Sequence, residues 1–304
     1  MLVNFWDKLP GRNPQRSSAC SCSDPLLPIA PKSTFHSMPN IEKHTPGNFC
    51  WVELVTTNQS AAESFYSKIF GWSADNIPIG PNEVYTIFQL AGRHAAAACT
   101  IRPEQSQLGV PPHWGLYIAV PSADASAARA SELGGTVLAP PFDVGDAGRM
   151  AIVQDPTGAA FSIWQANVNP GIGIAGAHGT LCWCDLSTPD QARAGQFYSD
   201  LFGWQMMKED EDPAHNYWHI KNGEEFIGGI PPASHHRAGT PAHWLAYFNV
   251  SDCDVTAGEA KKLGATLYLP PTDFADVGRI SVIADPQGAA FAIFKAAAQR
   301  AAAP

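Results

Sequence analysis

The chain is short of charge. Only 15 % of its 304 residues are Asp, Glu, Lys or Arg, and acids outnumber bases to a formal net charge of −9. That deficit of Lys and Arg excludes the clustered positive surface needed to neutralise nucleic-acid phosphates. Missing too is any run of about 18 apolar residues, the length that marks a membrane-spanning helix. No signal peptide is expected from the stretch Leu26-Leu27-Pro28-Ile29-Ala30-Pro31, which is too short and is broken by proline. The seven cysteines, Cys20, Cys22, Cys50, Cys99, Cys182, Cys184 and Cys253, are odd in number and scattered. Such a set suits reduced thiols in a cytoplasmic protein rather than a secreted disulfide framework. Cys20-Ser21-Cys22 lacks the second Cys/His pair of a zinc site. What remains is an ordinary composition, 45 % hydrophobic, sufficient for a sizeable core.

Against these absences stands a repeat. Residues 50–72 read CWVELVTTNQSAAESFYSKIFGW and residues 182–204 read CWCDLSTPDQARAGQFYSDLFGW, displaced by 132 positions. Cys, Trp, an acid, Leu, then Phe-Tyr-Ser and Phe-Gly-Trp recur at the same spacing, which implies two copies of one domain. Residues 1–44, rich in Gly, Pro, Ser and Asn, read as a disordered leader, with Met38 a candidate working start. Domain one is expected over 45–166, a Gly-rich linker over 167–178, domain two over 179–296 and a fraying tail over 297–304.

Within domain one the pattern is β-α-β-β-β, written twice. Residues 49–55 alternate as a strand; Asn58 caps a helix whose Ala61, Ala62, Phe65, Tyr66, Ile69 and Phe70 recur at helical spacing, and Gly71 stops it. Strands are expected near 72–77, 84–90 and 94–101. The second unit has a strand at 113–120, a helix at 123–133 and strands near 136–139, 149–154 and 160–165, the last two joined by Asp155-Pro156-Thr157-Gly158. Domain two repeats the plan, with Asp285-Pro286-Gln287-Gly288 as its last turn.

Tandem βαβββ units, FYxxxFGW after the first helix and DPxGAAF before the last strand resemble the vicinal oxygen chelate superfamily, which includes glyoxalase I, bleomycin-resistance proteins and extradiol dioxygenases. The resemblance implies an α+β fold of two tandem glyoxalase-like domains. Each would pair two βαβββ modules into a curled sheet around a cavity, with helices outside.

Alternation assigns the faces independently. Cys50, Val52 and Leu54 fall beneath the helix, leaving Trp51 and Glu53 on the cavity side. Cavity one then gains His113, Tyr117, Ser162 and Trp164; cavity two has Trp183, Asp185, His243, Leu245, Tyr247, Ala292 and Phe294, with Tyr217 and His219 from the strand at 217–221. Cys182 and Cys184 fall together on the covered face, as inert core thiols. An aromatic pocket with one acid and one histidine suits a small, flat or ring-bearing ligand.

The resemblance also implies a divalent metal held by His, Glu or Gln. At the positions where it places ligands this chain has Trp51 and Trp183, Gly115 and Leu245, and Ser162 and Ala292. None of these is a good donor, so the cofactor is left open and the substitutions count against a metal. Asp185, His219 and His243 form one alternative donor set; Ile87 stands where His219 falls in domain one. Glu53–His113 and Asp185–His243 read either as catalytic acid/base pairs or as structural hydrogen bonds. Arg149 and Arg279 read as solvated strand-edge residues, and His235-His236 as exposed loop residues.

Two functions follow. The first is a glyoxalase-like enzyme acting on a small carbonyl or aromatic metabolite through Glu53, His113, Asp185 and His243. The alternative is metal-free sequestration of an aromatic molecule, as bleomycin-resistance proteins do. Either would be a monomer or homodimer with a small-molecule ligand, no nucleic acid and no membrane. A third reading confines activity to one domain, the other serving as scaffold.

Overall fold

The computed structural model describes residues 41–81, 83–208, 216–274 and 277–297. Most of the expected leader, and the tail beyond Ala297, lie outside these residues. Residues 41–44 do not behave as leader: the Ile41 amide donates to Gly173 O at 3.2 Å and His44 Nε2 contacts Ile172 O at 3.0 Å.

Domain one runs β1 (Phe49–Thr56), α1 (Gln59–Phe70), β2 (Ser73–Gly80), β3 (Glu83–Leu90), β4 (Arg93–Thr100), a short α2 (Pro103–Gln107), β5 (His113–Ala119), α3 (Ala123–Glu132), β6 (Thr136–Val144), β7 (Gly148–Gln154) and β8 (Ala160–Ala166). Domain two repeats this as β9 (Leu181–Ser187), α4 (Gln191–Phe202), β10 (Gln205–Lys208), β11 (Trp218–Asn222), β12 (Glu225–Ile230), β13 (His243–Asn249), α5 (Cys253–Lys262), β14 (Thr266–Phe274), β15 (Gly278–Ala284) and β16 (Ala290–Ala296). A 3₁₀ turn at Ala233–His235 stands where domain one has α2.

Each domain is one curled eight-stranded sheet, ordered β2-β3-β4-β1-β5-β8-β7-β6 and β10-β11-β12-β9-β13-β16-β15-β14. The modules meet at the antiparallel β1–β5 and β9–β13 seams. Both seams carry a bulge, at Cys50 and at Cys182, where one strand inserts an extra residue. β6 extends past the expected 139 through Pro140 and Pro141 to Val144. Proline cannot donate to a ladder, but β6 is an edge strand and its pairing skips between Ala139 and Phe142.

Local signals set the helices. Asn58 Oδ1 accepts the Ala61 amide at 3.0 Å, and Gly71 closes α1 at φ 73°, a conformation L residues avoid. The buried stripe Ala62, Phe65, Tyr66, Ile69 and Phe70 does more than cover its own sheet. Tyr66 lies 5.6 Å from Phe291 of domain two and Phe70 lies 5.0 Å from Phe248. Tyr198 of domain two sits 5.4 Å from Phe161 of domain one. The polar ends are exchanged as well. Tyr66 donates to Asp285 Oδ2 at 2.9 Å while accepting from Trp114 Nε1 at 3.1 Å; Tyr198 donates to Asp155 Oδ2 at 3.0 Å while accepting from Trp244 Nε1 at 2.9 Å.

Each FYxxxFGW motif therefore completes the other domain's DPxG turn, and one core runs through both domains. The segment 167–178 joins that core through buried Ile172 and Ile174, so it is more than the linker its composition suggests.

Candidate active site

Domain two builds its site around a buried acid. Asp185, on β9, is 2 % exposed. Its Oδ1 accepts from Tyr217 Oη at 2.6 Å and Trp183 Nε1 at 3.0 Å, and its Oδ2 accepts from Tyr247 Oη at 2.7 Å. The Trp183 N–H also lies 2.9 Å from Tyr217 Oη. Opposite Asp185 in the register stands Gly229, and a Cβ there would occupy the space of the Tyr217 ring. Glycine at that point lets the phenol reach the acid. Burial pushes the Asp185 carboxyl up to about 6, against the opposing pull of Tyr217, Tyr247 and Trp183.

Beside the acid lies a cavity of about 110 Å³, walled by Pro231, Pro232, Leu245, Val282 and Tyr247 and carrying Asp185, Ser187, Thr188, His235, His236 and His243. His243 does not hydrogen-bond Asp185. Its Nδ1 lies 2.8 Å from Pro241 O, and because a carbonyl only accepts, Nδ1 carries the proton and Nε2 is left with a lone pair. Burial holds the ring's pKa below the ordinary histidine value, so it is neutral at neutral pH. His236 is oriented in the same way: Nε2 lies 2.8 Å from Thr240 O, and Nδ1 lies 2.9 Å from Ser187 Oγ.

Domain one holds the same framework with different surroundings. Glu53 accepts from Tyr85 at 2.6 Å, Tyr117 at 3.0 Å and Cys99 Sγ at 3.7 Å, and Trp51 Nε1 donates to Tyr85 Oη at 3.0 Å. His113 Nδ1 is tied to Pro111 O at 2.8 Å. Neither acid–histidine pair forms a direct hydrogen bond. Tyr85, which alternation did not single out, and Tyr217, which it did, bind the acids instead. Their 132-residue offset, equal to that of the repeat, was the signal available.

Of the residues expected in cavity two, Asp185, His243, Leu245 and Tyr247 line the cavity. Trp183 and Phe294 are not among its lining residues and pack with Tyr247, Ile280 and Ala292 in an apolar cluster, and His219 is buried with its ring 4.9 Å from Tyr217 and 6.2 Å from Trp183. In domain one Trp164 donates to Asn169 O at 3.0 Å and meets Tyr117 edge-on at 6.4 Å, while Trp51 meets His94 edge-on at 5.9 Å. Three assignments change. His235 and His236 are half-buried cavity residues, brought in by the 3₁₀ turn. Cys182 lies at the seam bulge against the cavity-side cluster, whereas Cys50 at the matching bulge stays, like Cys184, in the shared core. Arg149 and Arg279 sit one strand in from the edge in bidentate pairs with Asp124 and Asp254.

Asp185, His219 and His243 do not fit a metal. Both Asp185 oxygens are taken by tyrosine and tryptophan donors and His219 is packed among rings, which leaves His243 alone of the three with a lone pair to offer. Among the described residues no group of three His, Cys, Asp or Glu side chains converges closely enough to hold an ion.

A family model described as the Glyoxalase/Bleomycin resistance protein/Dioxygenase superfamily matches residues 49–163, and one described as a Glyoxalase-like domain matches residues 183–294. The chain is 40 % identical over 266 residues to CFP32 of Mycobacterium tuberculosis, provisionally named a glyoxylase; the match covers 86 % of this chain and 100 % of CFP32. It is 32 % identical over 265 residues to DnrV of Streptomyces peucetius, named an anthracycline biosynthesis protein, covering 83 % of this chain and 94 % of DnrV. The Mn(II)-bound glyoxalase from Novosphingobium aromaticivorans superposes with a TM-score of 0.58 at 16 % identity, covering 82 % of each chain. The 2,3-dioxygenase LapB from a Pseudomonas species gives 0.55 at 13 % identity, covering 84 % of this chain and 95 % of LapB. At those identities the structural likeness speaks for the fold alone.

Proposed function

The chain belongs to the glyoxalase/bleomycin resistance protein/dioxygenase superfamily, and from that premise we propose that its domain-two cavity binds a small metabolite bearing a carbonyl or phenolic oxygen and moves a proton on it. One observation carries the reading: His243 presents a lone pair on Nε2 in the same cavity wall as the tyrosine-anchored Asp185.

The division of labour follows from the bonds. Apolar walls strip water from the ligand and strengthen the polar contacts inside. Tyr247 donates its hydroxyl hydrogen bond to Asp185, so its oxygen is left to accept one from a ligand hydroxyl and orient it. His243, neutral because it is buried, takes the proton at Nε2 and returns it later in the cycle. Asp185 fixes the phenols and does not reach the histidine. No step runs through a metal, because the donor set does not fit one.

Sequestration of an aromatic ligand is the weaker reading. It would call for Trp183, Phe294 and His219 on the cavity surface, and none of them is among its lining residues. The names of CFP32 and DnrV, a provisional glyoxylase and a biosynthesis protein, also support small-molecule chemistry.

The test is proton exchange. A panel of small ketones, aldehydes and phenols is incubated with the full chain in deuterated water, and exchange next to the carbonyl or on the ring is followed by NMR. The expected result is catalysed exchange that disappears in His243→Gln. Exchange persisting at the wild-type rate in that variant would sink the assignment.

A further inference from the structure

Ser187, the last residue of β9, has no part in the proton transfer assigned to His243, yet it stands among groups arranged around it. Its Oγ lies 2.9 Å from His236 Nδ1. The far nitrogen of that ring, Nε2, lies 2.8 Å from Thr240 O. The carbonyl accepts only, so in the neutral ring Nε2 is protonated and Nδ1 is the acceptor, and the Ser187 hydroxyl must donate to it. Hydroxyl, base and orienting group thus follow one another within hydrogen-bond reach, the geometry that activates a serine oxygen. Ser187 is also the register partner of His243 across the β9–β13 seam, and Ser187, His236 and His243 all line the 110 Å³ cavity.

The arrangement is confined to domain two. At the 132-residue offset Ser187 corresponds to Val55, and the domain-one loop over residues 101–112 contains no histidine. A hydroxyl that merely fastened the 233–240 loop to the strand would have no need to open on a cavity.

We propose that Ser187 is a nucleophile, activated by His236, that accepts an acyl group from small esters entering the domain-two cavity. Ser187 Oγ forms a bond to the ester carbonyl carbon as its proton passes to His236 Nδ1. The bond from that carbon to the alkoxy oxygen then breaks, and the alkoxide leaves with the proton held by His236. Water attacks the acyl-serine in the second half, giving one proton to His236, which returns it to Ser187 Oγ. The products are a carboxylic acid and an alcohol, and no electrons change hands.

A fluorophosphonate probe tests the first half on the full chain, with the labelled peptide mapped by mass spectrometry. Phosphonylation of Ser187 is expected, slowed about 100-fold in His236→Gln, the scale of a lost general base. Absence of label on Ser187, or an unchanged rate in His236→Gln, overturns the proposal. Ser187→Cys provides a second readout should the histidine variant fail to fold. Its thiol should be alkylated by iodoacetamide with a pH midpoint below the ordinary thiol range of about 8.5, because the imidazole takes its proton. A midpoint at or above that range also counts against the pair. Deuterium exchange at His243 is read separately, so exchange lost with labelling intact sinks the proton-transfer reading alone, and the reverse sinks this one alone.

Discussion

Glu53 and Asp185 hold the same place in two copies of one scaffold and differ by a methylene. The longer Glu53 lies opposite Ala97 and reaches Tyr85, Tyr117 and the Cys99 thiol. The shorter Asp185 lies opposite Gly229, where the missing Cβ admits the Tyr217 ring, and it is closed over by Trp183 and two phenols. At the Cys99 position domain two has Pro231, which walls a cavity instead of capping the acid. Around that cavity domain two adds Ser187, His235 and His236, none of which has a counterpart in domain one. The pair teaches that the tyrosine-bound acid and the carbonyl-tied histidine are framework common to both domains, and that Ser187, His235 and His236 around the cavity are local additions to one.

The comparison is broken most directly by histidine substitution. His243→Gln is expected to lower exchange turnover about 1,000-fold, the middle of the range for a removed acid–base group, while His113→Gln stays within about threefold. Equal losses in kcat/KM would show that both domains work.

A smaller effect concerns pH. Asp185 titrates near 6 when folded and near the ordinary aspartate value when unfolded. Between those values the folded chain holds the extra proton, so this group's contribution to stability is lost as pH rises through about 6. The full penalty is on the order of 3 kcal/mol at neutral pH. Asp185→Asn should therefore gain on the wild type in urea denaturation as pH is raised from 4 to 7, because the penalty for ionising Asp185 applies to the wild type alone. Buried His113 and His243 act oppositely in both proteins, losing stability as pH falls through the ordinary histidine value, and cancel in the difference. A difference flat with pH would place the carboxyl's titration outside that window.

Tyr66→Phe and Tyr198→Phe should each cost about 2 kcal/mol, since each removes a hydrogen bond to a buried carboxylate and strands a tryptophan N–H. Matching losses would confirm that the two interlocks are equivalent, and a gap above about 1 kcal/mol would show that one dominates. The smallest effects lie at the helix caps. Asn58→Ala and Asp190→Ala should each cost about 1 kcal/mol, read from the denaturation midpoint.

Much of this molecule is legible in its sequence because its signals are periodic or punctuated. Asn58 and Gly71 bound a helix by capping and by left-handed geometry, and the alternation of β1 and β5 puts Trp51, Glu53, His113 and Tyr117 on one face. The failures are of another kind. Cys182 packs with the Trp183 cluster while Cys50 at the matching bulge stays in the shared core, a difference that alternation, identical in the two strands, does not register. His235 and His236 were hidden because a polar loop flanked by Pro and Gly looks alike whether it faces solvent or folds over a cavity. The acid–histidine pairs did not form because each histidine turns to a carbonyl two residues upstream, a local bond that long-range face assignments overlook.

The crossed tyrosines also bear on what an engineer can cut. Asp285 needs a hydroxyl from the first half of the chain and Asp155 needs one from the second, so neither half carries all the groups that close its own last turn. Excising either half as a minimal module would strand a buried phenol and expose a wall of Phe, Tyr and Trp. Grafting a foreign half-chain would demand that both handshakes be rebuilt together. The cavity beside Asp185 shares none of these junction residues, and its lining is the part of the molecule that can be rewritten one residue at a time.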